Sequence, residues 1–275
     1  MDQQDIEAIE IDLLLEAIFR RYGYDFRHYA KASMERRIHH GMERLGCRQV
    51  SELTRRILYE PPFFQDLIDS FSITVTEMFR DPEVYAFLRK QVVPYLATYP
   101  FIKIWHAGCA TGEEVYSLAV ILEEEGVLDR TTIYATDFNE TALMAAQEGI
   151  YPIERLKIYS ENYRKSGGRE TLSNYYHAEY DSVIMAKSLK KNITFARHIL
   201  ASDQVFGEMH LVVCRNVLIY FDRTLQERVL TLFDDSLIGN GFLCLGSKES
   251  LRFSSLTTKY RELDPHLKVY RKRRD

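Results

Sequence analysis

Apolar positions in the first seventy or so residues recur at the spacing of an α-helix. Five of them share one face of the first predicted helix: Ile11, Leu14, Leu15, Ile18 and Phe19. Gly23 is suited to end that helix, and further helices are predicted at 26–45, 50–59 and 63–70. The third helix should stop before Pro61-Pro62, because a residue that precedes proline disfavours the α conformation. No strand-like alternation occurs here, so the pattern predicts a helical domain over 1–72.

After residue 72 the pattern changes to short apolar runs that alternate with helical stretches. Asp81-Pro82 predicts a helix start, with Asp81 as the N-cap and Pro82 in the first turn. Pro94 should end or kink that helix. Further elements are predicted in this order: strand 101–107, helix 108–125, strand 132–136, helix 140–148, strand 211–214, helix 223–237, turn 239–241, strand 242–245 and strand 267–271. The alternation predicts an α/β domain with a parallel sheet and crossover helices.

Residues 150–195 interrupt this alternation, because they are polar, rich in tyrosine and contain Gly167-Gly168. This stretch contains two or three candidate short strands, at 175–179, 181–186 and 193–197. We interpret the stretch as an antiparallel element inserted into the α/β domain. The expected organisation is a helical domain over 1–72, a linker over 73–82 and an α/β domain over 83–275.

Composition excludes several classes of protein. The 275 residues carry a net charge of −4, which argues against a nucleic-acid partner recognised by bulk charge. The acidic start MDQQDIEAIEIDLLL does not resemble a signal peptide, and no apolar run is long enough to span a membrane. The four cysteines and eight histidines lack the spacing of metal ligands. We therefore expect a cytoplasmic protein with reduced, buried thiols, no membrane insertion and no metal.

Positive charge is concentrated in part of the helical domain. Between Arg20 and Arg56 there are ten Lys and Arg residues and four acids. The cluster is either an ordinary solvated helix surface or a docking face for an acidic partner, and both interpretations stay open.

The segment Ala107–Glu114, AGCATGEE, follows a predicted strand and opens a predicted helix. The spacing of Gly108 and Gly112 is not that of GxGxxG, and no Lys-Ser/Thr follows, so a P-loop is excluded. Glu113 and Glu114 would repel a polyphosphate but suit a cation. The pattern therefore favours S-adenosylmethionine, which carries a sulfonium and an ammonium group, over NAD or ATP. A plain strand-to-helix turn with a capping acid is the alternative.

Two further segments place polar side chains at the carboxyl ends of predicted strands, where open α/β sheets bind ligands. Asp137 ends the strand after the glycine turn and could accept hydrogen bonds from ribose hydroxyls. Arg215 and Asn216 follow strand 211–214, and buried polar groups there would need partners. Both segments support a ligand site at this edge.

The segment 72–82 joins the two predicted domains, and its polar members include Thr74, Thr76 and Arg80. From composition alone, a linker with a capping box explains it as well as a ligand site does.

Four blocks of sequence together resemble the CheR-type chemotaxis receptor methyltransferases. They are Thr76-Glu-Met-Phe-Arg80, the turn GCATGEEVYS at 108–117, Ala135-Thr-Asp137 and CRNVLIYF at 214–221. Their order and spacing agree with the family from about residue 10 to 272. No single block would be specific, but the set is.

The resemblance implies a Rossmann-like class I methyltransferase domain, an N-terminal all-α domain and an inserted antiparallel β-subdomain at about 150–195. It also implies an enzyme, a protein-glutamate O-methyltransferase. Such an enzyme moves the methyl group of S-adenosylmethionine onto glutamate side chains in chemoreceptor cytoplasmic helices. The products are glutamate methyl esters and S-adenosylhomocysteine, and the reaction serves sensory adaptation.

The resemblance also implies roles for individual residues. Nine fall on cofactor-contacting positions: Thr74, Thr76, Arg80, Gly108, Glu114, Asp137, Leu200, Arg215 and Asn216. Arg80 and Tyr220 fall beside the methyl group and the acceptor, which makes them the expected catalytic residues. The family often has Asn at the position of Thr74, and Asn-Leu after the strand at 193–197, where this chain has His198-Ile-Leu200.

The implied partner is the cytoplasmic domain of a methyl-accepting chemoreceptor, whose acidic helices would suit the basic face. Some family members hold a tethering peptide of the receptor C-terminus on the insert, but residues 166–177 fit that region poorly, so tethering stays open. Two other functions also stay open: the same chemistry on another signalling-array protein, or a non-catalytic cofactor-binding scaffold. The intact Arg80, Tyr220 and glycine turn argue against the scaffold.

Overall fold

The computed structural model describes residues 2–72 and 76–274 of the chain. These fold into two compact units. The first, a helical unit, comprises Met1–Ile73, Ile199–Gln204 and Leu218–Val229. The second, an α/β unit, comprises Thr74–His198, Val205–Val217 and Leu230–Asp275.

Four helices make up most of the helical unit: α1 (Gln3–Tyr22), α2 (Lys31–Leu45), α3 (Val50–Tyr59) and α4 (Pro61–Phe71). Four of the five residues of the predicted apolar face of α1 are buried and Phe19 is half-buried, and Gly23 closes the helix in the left-handed conformation with φ 80°. The predicted helix over 26–45 starts only at Lys31, because residues 27–28 form a turn and Tyr29 forms a β-bridge with Phe221. Pro61 and Pro62 begin α4, where a missing N–H costs nothing.

Fewer cations are exposed on the basic face of the helical unit than the ten Lys and Arg residues in its sequence suggest. Arg37, one of the ten cations, is buried, donates a hydrogen bond to the carbonyl of Phe71 and lies 4.5 Å from the ring centre of Tyr220. Burial lowers its pKa. It therefore belongs to the core, whereas Arg36 and Arg48 are exposed to solvent.

The α/β unit is built on a seven-stranded sheet. Its strands are β1 (Ile102–Ala107), β2 (Thr131–Asp137), β6 (Ile193–Arg197), β7 (Met209–Cys214), β8 (Leu237–Leu245), β9 (Tyr260–Asp264) and β10 (Val269–Lys272). Their order is β6-β2-β1-β7-β8-β10-β9, and β6, β2, β1, β7 and β8 run parallel. The order reverses between β1 and β7, which makes the carboxyl edge there the expected ligand site.

Short helices connect these strands: α5 (Pro82–Phe87), α6 (Val93–Leu96), α7 (Glu113–Glu124), α8 (Glu140–Glu148) and α11 (Arg223–Ser236). The π-helical turn Leu88–Val92 precedes Pro94 and accommodates its missing N–H, which agrees with the predicted kink. Central strands are buried on both faces, so they consist of nearly continuous apolar runs.

A small second sheet, β3-β5-β4, forms the inserted element. It consists of β3 (Ile150–Pro152), β4 (Tyr176–Glu179) and β5 (Ser182–Met185), with helices α9 (Leu156–Lys165) and α10 (Lys187–Lys190). The buried carboxylate of Glu124 binds Arg89 at 2.5 Å and accepts a hydrogen bond from the Tyr163 hydroxyl of α9. The strand predicted at 193–197 is correct, but as β6 it pairs in parallel with β2 in the large sheet.

The last third of the chain departs from the prediction in three places. The predicted turn at 239–241 is absorbed into the continuous strand β8, and strand β9 has no sequence signal that we recognised. The basic segment 271–274 would be expected to be solvated, but Arg271 and Lys272 lie in β10, where the Arg271 guanidinium is 4.0 Å from the ring centre of Tyr95. In residues 2–72 and 76–274 no helix combines the length and apolarity needed to cross a membrane.

Candidate functional site

The glycine turn between β1 and α7 requires both of its glycines. Gly108 has φ 74°, and a Cβ atom there would lie 2.5 Å from Cγ2 of Val217. Gly112 has φ 91°, and a Cβ atom would lie 2.9 Å from Cβ of Ala146. Any other residue would meet both backbone strain and a steric clash. The turn therefore brings main chain close to neighbouring segments at the carboxyl edge of the sheet.

Asp137 lies at the end of β2 and joins that strand to the glycine turn. Its Oδ2 accepts a hydrogen bond from the Ala110 N–H at 2.9 Å, and its Oδ1 accepts one from the Asn139 N–H at 3.0 Å. Burial raises the pKa of Asp137, and these backbone N–H groups oppose the rise. Each carboxylate oxygen can accept a further hydrogen bond, so the side chain retains the capacity to bind a diol.

A buried ion-pair cluster holds the end of β7. The side chain of Arg215 is 1% exposed and pairs with the Glu114 carboxylate and, at 2.5 Å, with Asp81. It also donates to the Arg80 carbonyl at 3.1 Å, and the Tyr85 hydroxyl donates to Glu114 at 3.2 Å. Burial alone would lower the pKa of Arg215, but the attraction of its acidic neighbours raises it. One guanidinium between two carboxylates leaves the cluster with a net charge of −1.

Asp81 occupies the predicted N-cap position, but its side chain has a partner that the sequence did not indicate. It stands before α5 in the left-handed conformation, with φ 55°, and its side chain makes no capping hydrogen bond. The carboxylate instead pairs with Arg215, which is 134 positions further along the chain. Asp81 therefore occupies the predicted N-cap position without capping the helix through its side chain, and Pro82 begins the helix as predicted.

Asn216 follows Arg215 in the left-handed conformation, with φ 61°. Glu249, which sequence reasoning missed, fixes this turn, because its carboxylate accepts from the N–H groups of Asn216 at 3.1 Å, Val217 at 2.8 Å and Gly246 at 2.6 Å. Glu249 is 4% exposed. The only sequence signal for Glu249 was its position three residues after Gly246, which follows a strand.

The remaining predicted residues are distributed as follows. Thr76 accepts a hydrogen bond through its carbonyl from Arg155 at 3.3 Å, and Thr74 lies outside the described residues. Leu200 and Tyr220 belong to the helical unit, where the Tyr220 carbonyl accepts from the Ala30 N–H at 2.8 Å. Their contacts with the cofactor or the acceptor stay predictions.

His198, at the position where the family often has asparagine, packs inside the α/β unit. Its ring lies 5.1 Å from that of Trp105 and 5.4 Å from that of Phe206, both edge-on. Its backbone N–H donates to the Asp137 carbonyl at 3.1 Å. The four cysteines are buried and free of disulfides, and residues 2–72 and 76–274 contain no acidic, cysteine and histidine group that could hold a metal ion.

Comparison with known proteins identifies the family of this site. The family model "CheR methyltransferase, all-alpha domain" matches residues 9–72, and "CheR methyltransferase, SAM binding domain" matches residues 74–266. A Pseudomonas putida protein named Cher3 is 51% identical over 264 residues, which cover 96% of this chain and 97% of that protein. This chain belongs to the CheR methyltransferase family.

More distant relatives agree with this placement within the CheR family. The chemotaxis protein methyltransferase of Listeria innocua is 30% identical over 250 residues, covering 90% of this chain and 92% of that protein. Its namesake in Borreliella burgdorferi is 27% identical over 263 residues, covering 90% of each. The predicted CheR resemblance, the Rossmann-like α/β fold with an all-α domain, and S-adenosylmethionine as the cofactor are confirmed.

Two observations indicate that residues of the α/β unit are suited to bind S-adenosylmethionine, the cofactor of the CheR family. The side-chain oxygen of Asn216 is buried and has no hydrogen-bond partner among the described residues, which is rare unless a ligand supplies one. The acidic cluster around Arg215 keeps a surplus of negative charge beside the glycine turn. S-adenosylmethionine carries N–H groups that could donate to the Asn216 oxygen, and it carries the positive charge that the acidic cluster would attract.

Glu113, the first residue of α7, allows a test of how burial affects the acids at the start of this helix. Burial raises its pKa to about 7, although the Thr111 hydroxyl donates to it at 2.7 Å. The folded state therefore binds its proton more tightly than the unfolded state, and stability should fall as the pH rises from about 4.5 to about 7. Glu113→Gln removes this penalty, so we expect it to stabilise the protein by about 2–3 kcal/mol more at pH 8 than at pH 5.

Denaturant titrations followed by the fluorescence of Trp105, the only tryptophan, would measure the difference. Glu123→Gln, an exposed position on the same helix, is the matched control and should show no such pH dependence. An equal effect of Glu113→Gln at both pH values would contradict the raised pKa.

Proposed function

We propose that this chain transfers the methyl group of S-adenosylmethionine to glutamate side chains in the cytoplasmic helices of chemoreceptors, inside the cytoplasm. The products would be glutamate methyl esters and S-adenosylhomocysteine. The observation that carries the proposal is the union of Arg80, Asp81, Glu114 and Arg215 in one hydrogen-bonded cluster within a CheR methyltransferase domain. Relatives named chemotaxis protein methyltransferases support the chemoreceptor as the partner.

The proposed chemistry requires positioning more than activation. A glutamate side chain is ionised and nucleophilic at neutral pH, so no strong general base is needed. When bound, S-adenosylmethionine supplies an electrophilic methyl group on a positively charged sulfur. Correct alignment of two reactants can lower a barrier by about 7–11 kcal/mol. The reaction therefore requires residues that bind the cofactor and a cation that orients the acceptor carboxylate.

We assign these tasks to residues of the α/β unit. Asp137 and Asn216 would accept hydrogen bonds from the cofactor, while Gly108 gives its main chain close access. Arg80 would orient the acceptor carboxylate, because its backbone is fixed by Arg215 while its side chain remains partly exposed. The proposed role of Tyr220 beside the acceptor rests on the family pattern alone.

Receptor tethering by the insert remains a separate hypothesis. The insert carries a surface groove of about 400 Å³, lined by residues of α9 and of the segment 168–176. Methylation of another signalling-array protein would need the same groups, so only the identity of the labelled protein distinguishes it from receptor methylation.

The direct experiment is transfer of a labelled methyl group from S-adenosylmethionine onto purified receptor cytoplasmic fragments. We expect label on the receptor that is released as methanol by mild alkali, because a carboxyl methyl ester hydrolyses there. Replacement of the acceptor glutamates by alanine should abolish labelling. Label that resists alkali, or no label on any receptor, would refute glutamate O-methylation.

Arg80→Ala tests the proposed orienting role. We expect kcat/KM for the receptor to fall at least a hundredfold, which corresponds to about 2.7 kcal/mol of transition-state stabilisation. The affinity for S-adenosylhomocysteine, measured by calorimetry, should change less than threefold. Arg80→Lys should recover part of the activity, and Arg273→Ala, at an exposed position, should behave as wild type. Wild-type receptor methylation by Arg80→Ala would exclude this role.

Charge reversal tests docking by the basic face of the helical unit. Arg36→Glu combined with Arg48→Glu should raise KM for the receptor several-fold, most strongly at low salt, because both side chains are exposed and their field is screened. Affinity for S-adenosylhomocysteine should not change. Arg274→Glu, an exposed cation elsewhere, is the control, and an equal KM in all these proteins would count against the docking face.

A further inference from the structure

The loop that joins β8 to β9 presents a phenylalanine to solvent. Phe253 is 94% exposed, whereas the nearby Leu251 and Leu256 are 2% and 4% exposed. The loop therefore has its own apolar anchors, and Phe253 is not one of them. Exposing an entire aromatic ring is unfavourable in water, and burying such a side chain is a large favourable contribution in most interfaces.

Hydrogen bonds inside the loop hold Phe253 in this exposed position. The Ser254 hydroxyl donates to the Leu251 carbonyl at 3.0 Å, and the Thr257 hydroxyl donates to the same carbonyl at 2.6 Å. The Arg252 N–H donates to the Ser250 hydroxyl at 3.1 Å. A loop ordered before binding loses less entropy when a partner docks. The ring is therefore presented on a preformed surface.

The charge around Phe253 is positive. Lys248 and Arg252 are exposed, and neither forms an ion pair within the described part of the chain. Glu249 is the only acid between residues 246 and 259, and it is buried with its carboxylate bound to backbone N–H groups. The loop therefore offers solvent an aromatic ring flanked by two cations and no exposed acid.

The same loop is attached to the candidate site. Glu249 links it to the backbone of Asn216 and Val217 at the end of β7. A Cβ atom on Gly246 would lie only 2.7 Å from the Asn216 nitrogen, so the two turns are in close contact. The loop starts at the carboxyl end of β8, the edge of the sheet at which open α/β sheets bind their ligands.

We propose that Phe253, with Lys248 and Arg252, is a docking surface for the acidic acceptor segment of the receptor. This inference rests on the proposed function and adds a specificity-determining surface to it. The ring would pack on an apolar position of an acceptor helix, and the two cations would pair with acids next to the methylated glutamate. The partner is thus an amphipathic, acidic helical segment.

Steady-state kinetics with a receptor fragment test this surface. Phe253→Ala should raise KM for the receptor about tenfold, equivalent to about 1.4 kcal/mol, with kcat and the affinity for S-adenosylhomocysteine unchanged. Phe253→Leu should retain most of the affinity because it keeps apolar area. Phe101→Ala is the matched control, because Phe101 is 76% exposed but precedes β1 at the opposite edge of the sheet.

A second variant measures the charges separately. Lys248→Ala with Arg252→Ala should raise KM at low salt and weaken the dependence of KM on ionic strength. The inference is overturned if the wild type methylates the receptor while Phe253→Ala matches Phe101→Ala in KM. A wild type that binds S-adenosylhomocysteine but labels no receptor overturns the proposed function, and this inference with it.

Discussion

The buried guanidinium of Arg215 is the interaction on which the carboxyl edge of the sheet depends. A charge removed from water is tolerated only when it is paired and hydrogen-bonded. The partners of Arg215 come from the start of α7, as Glu114, and from the segment before α5, as Asp81 and the Arg80 carbonyl. Neutralising one charge therefore fixes three segments that are remote in sequence. Loss of the buried Glu114 carboxylate would leave the Arg215 charge poorly paired, at a cost of up to about 3–5 kcal/mol.

Glu249 fixes the residues that follow β7, next to Arg215. Its carboxylate binds three backbone N–H groups, including that of Asn216, whose left-handed conformation would otherwise be unfavourable. Fixed main chain suits a reaction whose nucleophile is already ionised, because such a reaction gains mostly from alignment. In the proposed function, the unpartnered oxygen of the Asn216 side chain would be available to hold a ligand in one orientation.

Sequence reasoning succeeded where the signal is local. The spacing of Gly108 and Gly112 identified a turn at a strand end, and the structure shows why neither position accepts a side chain. It failed where a residue's role depends on a distant partner. Asp81 has the sequence context of a helix cap but pairs with an arginine 134 positions away, and Glu249 had no motif. Arg37 was counted with surface cations because charge alone does not reveal burial.

Two kinds of electrostatic interaction operate in the α/β unit, and they differ in their surroundings. The Glu114 carboxylate acts where water is largely excluded, with its side chain 9% exposed, so its electrostatic interactions are strong and only weakly screened by salt. Lys248 and Arg252 are exposed to bulk solvent, where their attraction for an acidic group extends over roughly 10 Å at 0.1 M salt. In the proposed function, the two sets of charges would act on different ligands: the cationic cofactor would be drawn to the buried acids and the acidic acceptor segment to the exposed cations. A change at Lys248 or Arg252 would then alter acceptor binding while leaving the charges around Arg215 as they are.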